Sequence, residues 1–359
     1  FERAMIRSTA RLTYSEVQAV RDGAGGQKKA DWHGALPALY GAFAALHSAR
    51  RRRGALDLDL PEYRPILADD GTVERIDMKP RLDSHRLIEE LMIAANVAAA
   101  QTLERRTAPC MFRLHERPDP ERVDDLAHLA AELNLRAGGS KGSAQWFNNL
   151  AAAAREPAER HLISQLTLRA QAQAAYGPDN IGHFGLGLTS YAHFTSPIRR
   201  YADLAVHRSL VTVLGLGAGG LEREAADGFS GLGASLGLCE RRAAVAERNT
   251  LDRFKAAFLE DSVGDTFSGL ISGVTRFGLF VTIDKIGADG LIPMSRLGQE
   301  RFRLASGGHA LTGRQGQTYR IGQAVDIVLS QVDPVSGSAL FDLAGAPAQR
   351  PGRRRGRAR

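Results

Sequence analysis

Along residues 1–262, apolar side chains recur mostly at the three- and four-residue spacing of amphipathic helices; beyond Gly264 they alternate with polar ones, as strands do. Helix is expected over residues 1–50, most clearly in the alanine-rich stretch Leu36–Leu46, up to the basic run Arg50–Arg53 and Gly54. The clearest helix is Asp83–Arg106, with Ser84 placed to cap it and Leu87, Ile88, Leu91, Met92, Ala95 and Ala99 supplying apolar faces. Further helices are expected at 119–135 and 158–175, from Pro197 onward, and over Glu240–Glu260. Ala55–Leu67 alternates apolar and acidic residues and contains Pro61 and Pro65, which suits an edge strand. His183–Leu188 reads as a short strand, and Asp69–Gly71 and Gly177–Asn180 as turns.

Phe267–Val274, Phe277–Ile283, Gly290–Met294, Ala324–Val332 and Ala339–Leu343 read as five short strands, the pattern of a small OB-type barrel. Arg301–Arg320 interrupts them as a polar, glycine-rich insertion. From Ala344 onward no periodicity is left, and the chain ends in an arginine-rich run expected to be disordered.

Composition narrows the partners. Hydrophobic residues make up 43% of the 359, enough for a substantial core, and the formal net charge of +7 favours a polyanion. Cys110 and Cys239 are too few and too far apart for a disulfide framework or a metal cluster, so a reducing, cytoplasmic setting is expected. No apolar run is long enough to span a bilayer, and no membrane association is expected.

The stretch Tyr191–Leu204 carries the most chemistry. Ser196-Pro197 predicts a helix start, with serine as cap and proline first, which puts Arg199 third in the helix. A capping box would place Glu or Gln there, and the helix dipole disfavours a cation by about 0.3–1 kcal/mol. Arg199 and Arg200 therefore oppose local stability. Two reliefs are open: a bound anion such as a substrate phosphate, or a protein carboxylate for one arginine and solvent for the other. His193 and Phe194, just upstream, are candidates for stacking on bases, or for ordinary core positions.

Two glutamates sit in apolar stripes. Glu89 shares a helix face with Met92, Ile93 and Asn96, and Glu247 with Ala244, Leu251, Phe254 and Phe258. Both are expected to be partly buried, as structural ion pairs or as acceptors for ribose hydroxyls.

The run His183-Phe184-Gly185-Leu186-Gly187-Leu188, followed by Thr195-Ser196-Pro197-Ile198-Arg199-Arg200-Tyr201, Asp203-Leu204 and His207-Arg208, resembles the signature of the RNB family of exoribonucleases. The match is long, ungapped and rich in unusual residues. It implies a 3′→5′ exoribonuclease that releases nucleoside 5′-monophosphates from single-stranded and structured RNA. In that family the arginine of Ser-Pro-Ile-Arg lies in the catalytic centre on the scissile or terminal phosphate. That role falls on Arg199, with Arg200 in support. His85–Asn96 and Ala246-Glu247-Arg248-Asn249 are similar to two further family helices whose glutamates contact the RNA 3′ end, which here are Glu89 and Glu247. The ribonuclease R type is favoured over the ribonuclease II type by His193-Phe194-Thr195 with the double arginine, by the barrel insertion and by the basic tail.

The resemblance also implies magnesium, held by a short aspartate cluster. In the family that cluster lies upstream of the segment similar to Phe1–Leu12, and no equivalent is found here. Asp57 and Asp59 read as the polar side of a strand, Asp69-Asp70 as a turn, and Asp124-Asp125 as a solvated helix face. The chain lacks an initiator methionine and a signal-peptide layout. It is expected to be the later part of the enzyme, a monomer that is inactive or very weak alone.

Phe267-Ser268-Gly269-Leu270-Ile271, Phe277-Gly278-Leu279-Phe280-Val281 and Gly290-Leu291-Ile292-Pro293 resemble an S1 RNA-binding domain. The resemblance implies aromatics stacked on bases, with Phe267, Phe277 and Phe280 as candidates and a barrel-core position as the alternative for each. The expected fold class is therefore α+β: a partial RNB catalytic domain of mixed helix and sheet (1–262), an all-β S1 barrel of OB type (263–343) and a disordered basic tail (344–359). The tail either adds salt-sensitive phosphate affinity or only solubilises. Two rival readings stay open: a non-catalytic RNA-binding protein on the same scaffold, and a ribosome-associated factor that uses only barrel and tail.

Overall fold

A computed structural model describes residues 1–24, 31–58, 61–298, 300–305 and 308–345. Helices begin where the sequence supplies caps. Thr13 and Glu16 close a reciprocal capping box at α1 (Tyr14–Arg21). The four arginines that end α2 (Leu36–Arg53) suit the negative pole of its dipole, and Gly54 stops it at φ 74°, where a Cβ would be strained. β1 (Tyr63–Leu67) and β2 (Val73–Met78) form an antiparallel pair around the Asp69–Gly71 turn. Then follow α3 (Asp83–Arg105), β3 (Phe112–Leu114) and α4 (Pro120–Glu132), the last capped by Asp119. α5 (Ala144–Ala153), absent from the sequence expectations, is capped by Ser143. α6 (Pro157–Ala170) leads to β4 (Ala175–Gly177), which pairs with β3. α7 (Tyr201–Val213), α8 (Arg223–Asp227) and the long α9 (Phe229–Phe258) complete the helical part.

Several expectations need correction. Residues 1–13 carry no regular structure, so among the described residues of the first fifty, helix is confined to α1, a 3₁₀ turn at Asp31–Ala35 and α2. Ser84 does not cap α3. It lies inside the first turn, buried, with its hydroxyl donating to Tyr14 O (2.8 Å) and its amide to Gln18 Oε1 (3.1 Å), and so docks α1 on α3. Among the described residues of the expected 55–67 strand or edge segment, only Tyr63–Leu67 is a strand. The helix expected over 158–175 stops at Ala170, because Ala175–Gly177 joins β3. The run 183–188 is a 3₁₀ turn, not a strand. His183 Nδ1 accepts the Leu186 amide, and Gly187 lies at φ 61° against Arg53 O, where a Cβ would clash.

The barrel follows the expected strands: β5 (Thr266–Thr275), β6 (Gly278–Ile283), β7 (Asp289–Pro293), β11 (Ala324–Asp333) and β12 (Ser338–Leu343). In sheet order they run β5-β6-β7-β12-β11, and β11 returns to β5 to close the ring, with β7 and β12 parallel. Closure leaves no free barrel edge. The insertion is not irregular. It forms a three-stranded antiparallel sheet of β8 (Phe302–Leu304), β9 (Ala310–Gly313) and β10 (Thr318–Arg320).

Three apolar clusters hold these parts. One joins α3, β3, α7 and Phe229 of α9, another packs α4, α5 and α6 around Phe147 and Leu150, and the third fills the barrel. Each fully buried side chain of this size contributes about 1.5–3 kcal/mol. The barrel cluster also takes in Leu129 of α4 and Leu162 of α6, so the barrel is seated on the helical part through shared core. Arg169 Nη2 to Ser272 O (2.6 Å) and Lys255 Nζ to Gly287 O (2.5 Å) add polar ties across that seam. No helix among the described residues is long and apolar enough to cross a membrane. The basic tail expectation lies, from residue 346 on, outside the described residues.

Candidate functional site

The arginine motif is a loop pinned from three sides. Asn96 of α3, almost wholly buried, accepts the amides of Phe194 (2.8 Å) and Thr195 (3.2 Å) on Oδ1 and donates from Nδ2 to the Tyr191 hydroxyl (3.0 Å). His207 Nε2 bonds Phe194 O at 2.8 Å. Asp203, wholly buried in the first turn of α7, accepts the Ser196 amide (2.7 Å) and Arg200 Nη2 (2.8 Å) on Oδ1. Arg200 Nε lies 2.8 Å from the other carboxylate oxygen as an ion-pair contact outside hydrogen-bond alignment.

This geometry corrects the expected helix start. Ser196–Arg200 is a separate turn, with the Arg199 and Arg200 amides both donating to Ser196 O. The helix begins at Tyr201, with Arg200 in extended conformation at the cap. Asp203 captures the Ser196 amide and the Arg200 side chain together, and that outweighs the Ser-Pro start signal. The two arginines therefore differ. Arg200 is satisfied inside the protein. Arg199 is exposed beside the fully exposed Ile198, and its guanidinium makes no hydrogen bond or ion pair with the described residues.

The ring residues upstream sit below this tip. His193 shares a 2.7 Å hydrogen bond with the Tyr176 hydroxyl through Nδ1. Burial, and then the nearby charges of Arg200 and Arg113, push its pKa down to about 3, so it is neutral at pH 7. His183 is held near 4 by burial, with His115 and Arg113 adding to the shift. Arg113 stacks over Tyr176 (4.6 Å) and pairs with Glu240 at 2.7 and 2.9 Å. Phe194 stacks on His207 (4.2 Å, 10°), receives the edge of Phe1 (5.2 Å) and packs against the α3–α7 cluster. Its ring is engaged by the protein, as is that of His193.

Of the two glutamates, Glu89 is partly buried and ion-paired, one of the two settings expected of it, whereas Glu247 is not placed as expected. Glu89 is 42% exposed and pairs with Arg50 and Arg81, each at 3.5 Å. Its neighbour Glu90 is the buried one, 3.5 Å from Arg50, and desolvation raises its pKa. Glu247 is exposed, as are all residues from 238 to 250 of α9. Glu247 lines a hollow of about 800 Å³ between β1, α6, α9 and the barrel. Glu89 lines an adjoining one of about 790 Å³, and both hollows include Pro61, Glu62 and Lys79. Arg199 lines neither.

In the barrel, Phe277 is 71% and Phe280 42% exposed, whereas Phe267 packs against the core. Gly273, opposite Phe280 on β5, carries no side chain and leaves that ring open. Among the described residues no three His, Cys, Asp or Glu side chains converge as metal ligands, so these residues do not fit a magnesium site. Asn96 and Asp203, which shape the loop, were within reach of the sequence: a polar residue in the apolar stripe of α3, and an acid three positions after Arg200.

Residues 1–215 match the RNB domain model, and residues 260–341 match the S1 RNA binding domain model. Ribonuclease R of Escherichia coli is 36% identical over 355 residues, 96% of this chain but 44% of that protein. Ribonuclease R of Aquifex aeolicus is 36% identical over 344 residues, covering 95% and 49%. The chain thus spans about half the length of these relatives. Among solved structures, Mycoplasma genitalium RNase R in complex with ribose methylated single-stranded RNA superposes with a TM-score of 0.85 at 26% identity, over 92% of this chain and 52% of that one. The yeast pseudonuclease Ssd1 shares the fold alone, at 15% identity and a TM-score of 0.59.

Proposed function

Because the chain belongs to the RNB family, we propose that it is the phosphate-gripping and RNA-binding part of a ribonuclease R-type 3′→5′ exoribonuclease, which shortens single-stranded and structured RNA to nucleoside 5′-monophosphates. The observation that carries this is the unpartnered Arg199 guanidinium on a turn that Asp203 and Asn96 hold in place. A guanidinium free of protein partners and fixed at its base offers charge-assisted hydrogen bonds to a phosphate without first breaking an ion pair. Arg200 orients the turn and does not bind. Neutral His193 adds no further charge below the phosphate. Glu89, half-buried, and Glu247, exposed, line adjoining hollows and accept ribose hydroxyls, the group that separates RNA from DNA. Phe277 and Phe280 stack on bases at the barrel. Magnesium would supply water activation and charge neutralisation. The described residues contribute binding and orientation, not metal chemistry.

The test is incubation of the chain with a 5′-labelled oligoribonucleotide and magnesium. Retention of RNA, stronger than that of DNA of the same sequence, is expected without release of monophosphates. Absent or DNA-equal binding overturns the RNA reading. Robust monophosphate release shows a metal site that this account lacks. The second reading, a non-catalytic RNA-binding protein on the same scaffold, is favoured by the absence of an acidic cluster among the described residues. It predicts no hydrolysis even in a chimera that carries the preceding segment of the E. coli relative.

A further inference from the structure

The insertion between β7 and β11 has a charge pattern that neither the barrel fold nor the arginine motif requires. From Arg301 to Gly322 the sequence holds four arginines and no acidic residue. Its small sheet has two unlike faces. Leu311 and Tyr319 are buried in the barrel cluster, and Phe302 packs against it. One residue along each strand the pattern inverts: Arg303 on β8, Thr312 on β9 and Arg320 on β10 are exposed, as side chains alternate across a pleated strand. Thr312 lies between Arg303 and Thr318 in register, and its hydroxyl is 3.5 Å from that of Thr318. Arg301, just ahead of β8, and Arg314, in the β9–β10 turn, are exposed at the rim.

None of these four guanidiniums forms a hydrogen bond or ion pair with the described residues. The acid next in sequence, Glu300, turns its carboxylate onto the Gln315 amide at 2.8 Å. His309 of the insertion reaches back to Glu132 of α4 at 3.6 Å. The inner side and the seam thus consume the available carboxylates, and the outer side keeps its arginines. Adjacent strands lie about 4.8 Å apart, so the face presents a row of cations and hydroxyls about 10 Å wide. Its four guanidiniums have no acceptor among the described residues, and the row fits a chain of phosphates.

We propose that the outer face of the β8–β9–β10 sheet is a second RNA-backbone binding surface, separate from the Phe277/Phe280 stacking face. The proposal rests on the RNA reading above. The partner is a nucleic-acid backbone rather than an acidic protein, because the same barrel presents exposed aromatics suited to bases and the insertion supplies only phosphate-type donors.

The experiment measures affinity of the full chain for a fluorescent single-stranded oligoribonucleotide across a salt series. It compares wild type, a variant with Arg301, Arg303, Arg314 and Arg320 all changed to Gln, and a Phe277→Ala/Phe280→Ala variant. The arginine variant is expected to bind at least tenfold more weakly at low salt. Its log–log salt slope should be shallower by about 3, since each lost single-strand phosphate contact removes about 0.7. The aromatic variant should weaken with its slope unchanged. Pairwise variants, Arg301/Arg303 and Arg314/Arg320, serve if the fourfold change lowers the melting temperature. An unchanged slope in a folded arginine variant, with the aromatic variant impaired, overturns this surface and leaves the RNA reading intact. Wild-type failure to bind RNA overturns both. Polyglutamate competing as well as RNA at equal charge overturns the assignment of the partner.

Discussion

The Arg200 guanidinium rests on the wholly buried carboxylate of Asp203, three residues on, while the Arg199 guanidinium beside it has no partner among the described residues. The two adjacent arginines therefore do different work. One fixes the turn from within, and the other projects from it.

Removing the anchor should unfold before it disarms. Asp203→Ala strips a buried charge from Arg200 and an acceptor from the Ser196 amide, and is expected to cost about 3 kcal/mol. Urea melts of the variant check this. An unchanged midpoint would mean that the pair does not shape the turn.

The buried histidines predict an acid-side loss of stability. Their folded pKa values, about 3 for His193 and about 4 for His183, lie below the ordinary 6.5. Between those limits the unfolded chain binds protons that the folded chain does not, so stability is complete above pH 6.5 and falls as pH drops towards 4. The expected slope is about 1.4 kcal/mol per pH unit for each histidine. Unfolding at pH 5 should take up close to two protons from this pair. His193→Phe should remove about one of them, and an unchanged uptake would contradict a neutral buried His193.

In the barrel, Phe277→Ala and Phe280→Ala should each weaken RNA binding by about 1–3 kcal/mol and leave the melt alone. Phe267→Ala should do the reverse, lowering stability with RNA affinity retained. Parallel binding and melting curves separate the two classes. A Phe267 variant that loses affinity at full stability would move that ring to the RNA face.

Where periodicity is strong, as in α3, the later part of α9 from Glu240 on and the five barrel strands, the elements were legible in the sequence, whereas the first part of α9, Phe229–Cys239, was not. Local signals failed where a tertiary partner outbid them. Ser196-Pro197 reads as a helix start, but Asp203 takes the Ser196 amide and delays the helix to Tyr201. The stripe around Glu89 reads as partly buried, and Glu89 is so, but its neighbour Glu90, which Arg50 also approaches at 3.5 Å, is buried more deeply. Glu247 reads as part of a packed face, but α9 outgrows its support there. The insertion reads as polar loop because its strands are three or four residues long, too short to show alternation. Of the proposed site, Phe277 and Phe280 stand open, and the arginine pair takes the arrangement of a carboxylate for Arg200 and solvent for Arg199, whereas His193 and Phe194 are tied up by Tyr176 and His207.

The central claim, that Arg199 is a phosphate-facing cation free of structural duty, is tested most directly by Arg199→Ala in a salt series of RNA binding paired with a thermal melt. The account predicts an unchanged melt, within about 0.5 kcal/mol, weaker binding, and a salt slope shallower by about 0.7. Unaltered affinity and slope would contradict it, as would a loss of stability like that expected of the Asp203 variant.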